Sequence, residues 1–196
     1  MSEIEQNSTN STQLRPGGHL KKTVVMVGMM GAGKTAVGRA LAVRLNVPFL
    51  DSDAEIECAA NMTVPEIFQR DGEAFFRLKE SQIIARLLDE ECGVLSTGGG
   101  AFLSEANRRM ISERGVSVWL NADLNVLWNR VKHKDTRPLL RTPDPRATLS
   151  EIYRVRVPIY ALADLSVLSD GRASIEDMVD RVIHVLASRP DVLEPN

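Results

Sequence analysis

The stretch Gly28-Met29-Met30-Gly31-Ala32-Gly33-Lys34-Thr35 fits the pattern G-x-x-x-x-G-K-[ST] and directly follows the β-branched run beginning at Thr23. Between a strand and a helix, such a run is a phosphate cradle, because glycines let successive backbone N–H groups curl around an anion at a helix N-terminus. Gly31, Ala32, Gly33, Lys34, Thr35 and Ala36 are therefore expected to hold a nucleotide's phosphates. Lys34 should reach the β- and γ-phosphates, and Thr35 should offer its hydroxyl to Mg²⁺. The competing reading, a glycine-rich turn with a solvated lysine, leaves the threonine and the strand–helix setting unexplained.

Larger P-loop ATPases and GTPases carry an acid at the end of a hydrophobic strand. Here the third expected strand ends Ser96-Thr97-Gly98, and no N-K-x-D motif for reading guanine is present. The acid must come from elsewhere, and Leu50-Asp51-Ser52-Asp53 is the best source. Carboxylates at i and i+2 on an extended segment point the same way. One can organise the waters of a metal while the other faces an acceptor hydroxyl. Alternatively, Asp53 simply caps a helix over 54–60.

Two further stretches invite chemistry. In Gly93-Val94-Leu95-Ser96-Thr97-Gly98-Gly99-Gly100-Ala101-Phe102, a buried strand runs into three glycines. Such a run costs conformational entropy and needs a local reason, either a tight turn or the close approach of a ligand. His133 to Ala147 holds three prolines, three arginines and a lysine. That is long for a connection in a compact domain; its arginines favour a lid over phosphate, with disorder as the alternative.

The elements that must position these residues follow from apolar periodicity. Short strands are expected at 23–28, up to Leu50, at 93–97, at 116–120 and at 165–169. Between them, Val37, Leu41 and Leu45 share a helical face, as do Phe76, Ile83, Ile84, Leu87 and Leu88. Thr63-Val64-Pro65-Glu66 reads as a capping box, Asp123 as a helix cap, and Ser174 to Arg189 as an amphipathic helix burying Ile175, Met178, Val179, Val182, Ile183 and Leu186. Alternating strands and helices imply a three-layer α/β/α fold with a five-stranded parallel sheet, whose ligands bind beyond the carboxyl ends of the strands.

Taken in order and spacing, GMMGAGKT, FLDSD, DGEAFFRLKE, STGGGAF, TRPLL and YRVRVPIY resemble the shikimate kinase family, over roughly residues 23–189. The resemblance implies an NMP-kinase-like P-loop fold and transfer of the γ-phosphoryl group of ATP to the 3-hydroxyl of shikimate. The implied setting is chorismate and aromatic amino-acid biosynthesis, with ATP as co-substrate and one Mg²⁺ per subunit. It implies that Asp53 binds the acceptor's hydroxyls and is a candidate base, while Asp51 serves the metal through water. Arg77 and Arg156 would bind the acceptor carboxylate, with Glu80 orienting Arg77. Arg137 in the lid would reach the transferred phosphate, making Lys34, Asp53 and Arg137 the catalytic set. Arg130 would flank the adenine. Gly98, Gly99 and Gly100 would let the acceptor ring lie against the main chain. By residue type alone, Arg77, Arg137 and Arg156 read as solvated or surface-paired arginines. The segment from Leu168 to Ser174 departs from the family's pattern, which removes the basis for assigning adenine contacts to it.

The rest of the chain narrows the alternatives. With 196 residues, 43% of them hydrophobic, it suits one domain, and a formal net charge of −2 gives no electrostatic case for nucleic acid or membrane. No run of about 18 apolar residues occurs. Cys58 and Cys92 lack metal-ligand spacing and are expected to be reduced, buried filler in a cytoplasmic protein. The expected organisation is a polar, disordered tail over 1–21 with no signal or transit peptide, one kinase domain over 22–190, and a C-terminal tail over 191–196. Within the domain, an acceptor-binding region at about 53–80 and a lid at about 132–147 should be mobile. No heptads occur, so a monomer is expected. A gluconate or nucleoside monophosphate kinase, and a non-catalytic nucleotide-binding module, are the competing functions.

Overall fold

The computed structural model describes residues 18–134 and 137–195. Residues 1–17 of the expected tail over 1–21 lie outside them, as do Asp135 and Thr136 of the expected lid and Asn196 of the expected C-terminal tail. In chain order the elements are β1 (His19–Leu20), β2 (Thr23–Val27), α1 (Lys34–Leu45), β3 (Phe49–Asp51), α2 (Ser52–Ala60), α3 (Val64–Glu90), β4 (Val94–Ser96), α4 (Glu105–Arg114), β5 (Gly115–Ala122), α5 (Leu124–Val131), α6 (Pro145–Tyr160), β6 (Leu165–Ser169), α7 (Ile175–Leu186) and β7 (Leu193–Glu194). Short 3-10 turns at Ala101–Leu103 and Pro138–Leu140 complete the set.

Five strands form one parallel sheet in the order β3-β4-β2-β5-β6. In register, Val24 pairs with Val94 on one side and Val116 on the other, and Met26 with Ser96 and Val118. Every residue of β2 is buried, as befits a central parallel strand covered on both faces. α1 and α7 pack together on one face, and α3 and α4 on the other. The three-layer α/β/α arrangement expected from the alternation of elements is the one observed. Phe76, Ile83, Ile84, Leu87 and Leu88 all enter the core. Among the described residues, no helix is long and apolar enough to cross a membrane.

Local signals place several helix ends. Thr63 and Glu66 form the full capping box of α3. α3 bends at Gly72, whose φ of 82° lies in the left-handed region that glycine tolerates. Asp123 sits at the N-cap of α5 but makes no capping hydrogen bond with its side chain.

Several expectations need correction. Asp51 is the last residue of β3, and α2 begins at Ser52, so Asp53 lies in a helical first turn and not on an extended segment. The cap is Asp51, whose Oδ1 accepts from the N–H groups of Asp53 and Ala54 at 3.0 and 3.1 Å. Residues 145–147 belong to α6, because Asp144 caps Ala147 and Pro145 is preset for a first turn. Cys58 and Cys92 are free but exposed, Cys58 on the outer side of α2 and Cys92 in the turn before β4. Ile175 is 49% exposed, and Ile183 is only partly buried.

Neither end of the domain stops where composition suggested. β1 pairs antiparallel with β7, matching His19 to Glu194 and Leu20 to Leu193. The Lys21 N–H donates to the Val192 carbonyl, and Val192 and Leu193 are buried. The apolar pair Val192-Leu193 was too short to show a periodicity, yet it closes the base of the core beside Leu20. Leu193→Ala should therefore lower the unfolding free energy by about 2 kcal/mol or more, read from urea denaturation, with kinetics unchanged. A loss under about 0.5 kcal/mol would mean that this terminal pair adds nothing to the fold.

Candidate active site

The carboxyl ends of β2, β3 and β4 open on one cavity of about 550 Å³. Gly31, Ala32, Gly33, Lys34, Thr35 and Ala36 line it from the P-loop, Asp51 and Asp53 from the β3–α2 junction, Gly98 and Gly99 after β4, and Arg130 and Arg137 from α5 and beyond. Gly33 caps α1 in the left-handed conformation, with φ of 95° and no side-chain cap, so the first N–H groups of the helix face the cavity without a competing side-chain acceptor. Helix N–H groups that open on a cavity in this way can receive an anion.

The charges around it are crowded. Lys34 folds back and donates from Nζ to the Gly28 and Met29 carbonyls at 2.8 and 3.0 Å. Burial first, then the positive charge of Arg137, lowers its pKa to about 8; Asp53 and Asp51 pull the other way. Arg130 donates to the Gly31 and Ala32 carbonyls and to Ser169 Oγ, tying the P-loop to the end of β6. Arg137 Nε is buried without a hydrogen-bond partner among the described residues. An unsatisfied guanidinium N–H is costly when buried, and an anionic oxygen is a partner that would relieve it.

The acceptor end is built on the three glycines. A Cβ on Gly98 would stand 3.1 Å from Asp53 Oδ1, and one on Gly99 3.1 Å from Arg156 Nη1. One on Gly100 would collide with both terminal nitrogens of Arg77. None of the three has a positive φ. Glycine is needed here for space, because three charged side chains, from α2, α6 and α3, converge on one stretch of main chain. Arg77, Arg156 and Gly100 do not line the nucleotide cavity itself but stand directly behind its Gly98–Gly99 wall.

Asp53 Oδ1 is buried without a hydrogen-bond partner among the described residues. Burial, reinforced by Asp51 and Glu57 against Lys34 and Arg77, raises the pKa of Asp53 above the usual carboxylate range and makes it a stronger base than a solvated aspartate. Glu80, 1% exposed, accepts from Arg77 Nη1 at 2.9 Å and fixes that guanidinium beside Gly100. Burial also pushes Glu80 upward, against the pull of Arg77. Arg156 forms no ion pair with a described carboxylate.

Among the described residues there is no cluster of three His, Cys, Asp or Glu able to hold a metal. Magnesium does not need one, because it is commonly held by one or two protein groups together with substrate phosphates. Thr35 and Asp51 face the same cavity, with Thr35 Oγ1 3.5 Å from Ser96 Oγ. Because capping occupies Asp51 Oδ1, the second carboxylate oxygen is not needed for that role. The residues present fit a phosphate-bound Mg²⁺.

Residue patterns did not single out everything the cavity uses. Ser169, Ala173, Ser174, Ile175 and Met178 line it, so the segment after β6 does form one wall despite its departure from the family pattern. No signal in the residue pattern marked this wall, because Ile175 fits the apolar face of α7 and its 49% exposure is set by the fold. Lys134 and Met30 also line the cavity.

A P-loop at the head of a five-stranded parallel sheet, with an arginine-rich approach and an acceptor pocket beside it, defines a small-molecule phosphotransferase of the NMP-kinase-like class. A family model described as shikimate kinase matches residues 30–187. Shikimate kinase from Ruegeria pomeroyi is 74% identical over 99% of both chains, and that from Cereibacter sphaeroides is 70% identical over 89% of this chain and 87% of its own. Among solved structures, shikimate kinase from Acinetobacter baumannii in complex with shikimate aligns with a TM-score of 0.79 and 34% identity, covering 85% of this chain and 93% of its own. The chain belongs to the shikimate kinase family.

The electrostatics give a pH signature. Protonated Lys34 is the form that attracts phosphate; its pKa in the free protein is about 8, and bound phosphate raises it. Above about pH 7.5 the nucleotide's phosphates are fully ionised, so they do not titrate in the window. ATP affinity should therefore be flat between about pH 7.5 and about pH 8 and fall by up to about tenfold per pH unit above that. Calorimetric titration from about pH 7.5 to about pH 9.5 reads this directly, and Lys34→Met should abolish the slope.

Proposed function

We propose that the chain transfers the γ-phosphoryl group of ATP to the 3-hydroxyl of shikimate, giving shikimate 3-phosphate and ADP. The observation that carries this reading is the convergence of Asp53, Arg156 and Arg77 on Gly98, Gly99 and Gly100 beside a P-loop cavity. A carboxylated, polyhydroxylated ring needs both an arginine fork and a hydroxyl acceptor. Here they sit on one wall. The solved relative from Acinetobacter baumannii, which holds shikimate, supports the same acceptor.

In this reading the acceptor oxygen attacks the γ-phosphorus, the bond to the β,γ-bridging oxygen breaks, and the acceptor's proton passes to Asp53. The transition state for such transfers is loose and carries charge on the equatorial oxygens, so positioning and electrostatics dominate. Lys34, Arg137 and the α1 N–H groups supply positive potential at those oxygens. Arg77 and Arg156 hold the acceptor carboxylate, and Arg130 and the wall after β6 flank the base. Thr35 and, through water, Asp51 would hold the one Mg²⁺ that accompanies ATP, and the ion would neutralise phosphate charge. The protein acts as a cytoplasmic monomer in aromatic amino-acid biosynthesis and binds neither nucleic acid nor membrane.

A coupled ADP-release assay offering shikimate, gluconate and nucleoside monophosphates tests the acceptor; turnover confined to either of the latter two would overturn the assignment. Asp53→Asn should keep ATP affinity and lose about 10²- to 10⁴-fold in kcat, whereas Arg77→Ala and Arg156→Ala should chiefly raise the acceptor KM, by about 10- to 100-fold. Near-normal turnover in the first, or an effect on ATP alone in the others, would contradict these roles.

The acceptor region at about 53–80 and the segment between α5 and α6 are the parts that close over the ligands and exclude water. Hydrogen exchange at these segments should slow when ADP and shikimate are added together. Exchange that ignores both ligands would argue against closure.

A further inference from the structure

Tyr160 has no part in the roles described above, yet its side chain ends inside the acceptor wall. It is the last residue of α6, one turn beyond Arg156, and is fully buried. Its hydroxyl donates to the Gly99 carbonyl at 2.5 Å. A phenol has one proton to give, so its remaining capacity is as an acceptor. Arg156 is placed to meet that need: its Nη1 and the Tyr160 oxygen lie 3.1 and 3.4 Å from the one point where a Cβ on Gly99 would stand.

Burial keeps the proton on the phenol, raising its pKa against the pull of Arg156 and Arg77. The phenol therefore spends its proton on the Gly99 carbonyl and keeps its lone pairs for the neighbouring Arg156 guanidinium. The backbone around it has reason to need this tie. Pro158 lies inside α6 between the two residues and has no N–H to give to the preceding turn, so the helix loses a hydrogen bond just where Arg156 must be aimed.

We infer that Tyr160 is a positioning residue for acceptor binding: it clamps the glycine wall at Gly99 and aims Arg156 at the acceptor's carboxylate. This rests on reading Arg156 as a carboxylate anchor. Tyr160→Phe removes one oxygen, leaves the ring packed, and frees both Arg156 and the Gly99 carbonyl.

The test is steady-state kinetics of wild type, Tyr160→Phe, Arg156→Ala and the double variant, with shikimate and with its carboxyl-reduced analogue. In Tyr160→Phe, the shikimate KM should rise about 5- to 20-fold, while the ATP KM and kcat stay within about threefold. The preference for shikimate over the reduced analogue should shrink, and Tyr160→Phe should add little in the Arg156→Ala background. Urea denaturation of Tyr160→Phe separates a selective KM rise from a folding defect, because a variant as stable as wild type with an unchanged KM counts against the role. An unchanged shikimate KM, equal losses with both acceptors, or full additivity with Arg156→Ala would overturn the inference. Failure of the wild type to phosphorylate shikimate would instead overturn the acceptor assignment itself.

Discussion

The site depends on three missing side chains. At the carboxyl end of β4, Gly98, Gly99 and Gly100 let Asp53, Arg156 and Arg77 approach a single stretch of main chain from three different helices. Any Cβ there meets a charged group that is already partly desolvated and has little freedom to retreat. A substitution would therefore act on the acceptor pocket before it acted on the backbone, since none of the three glycines uses a left-handed conformation.

A second constraint is electrostatic. Burial, and then the positive charge that Arg137 and Arg156 bring to the head of α1, lowers the pKa of the Lys34 ammonium to about 8. Asp51 and Asp53 offset part of that field, and Asp53 is itself raised by burial and by Asp51. The protein holds this arrangement at some cost in stability, because buried charges are expensive unless paired. An anionic ligand with its cation offsets the imbalance, which is a physical reason for selective affinity toward polyphosphate.

Much of this was legible in residue order. The P-loop spacing, the alternation of strands with helices, the capping box at Thr63 and the helical face of α3 are local signals, set by backbone geometry and periodicity over a few turns. The division of labour in FLDSD was not. Two aspartates two apart read equally as an extended pair or as a cap, and only the start of α2 at Ser52 makes Asp51 the cap and leaves Asp53 free to face the glycine wall. Nor did composition reveal that Val192 and Leu193 close the core, since a two-residue strand carries no periodicity.

The sequence by itself determined the fold class and the phosphate cradle, because both follow from contacts within a few residues along the chain. Arg77, Arg137 and Arg156, taken as residue types, had solvent as their default, and family resemblance alone set them apart. Tertiary structure decided how they meet. It set Arg77 and Arg156 on the glycines from helices far apart in sequence, buried Arg137 Nε without a partner among the described residues, and tied Tyr160 to the Gly99 carbonyl beside Arg156. Such meetings are set by how the layers pack on the sheet, and no local pattern records that packing.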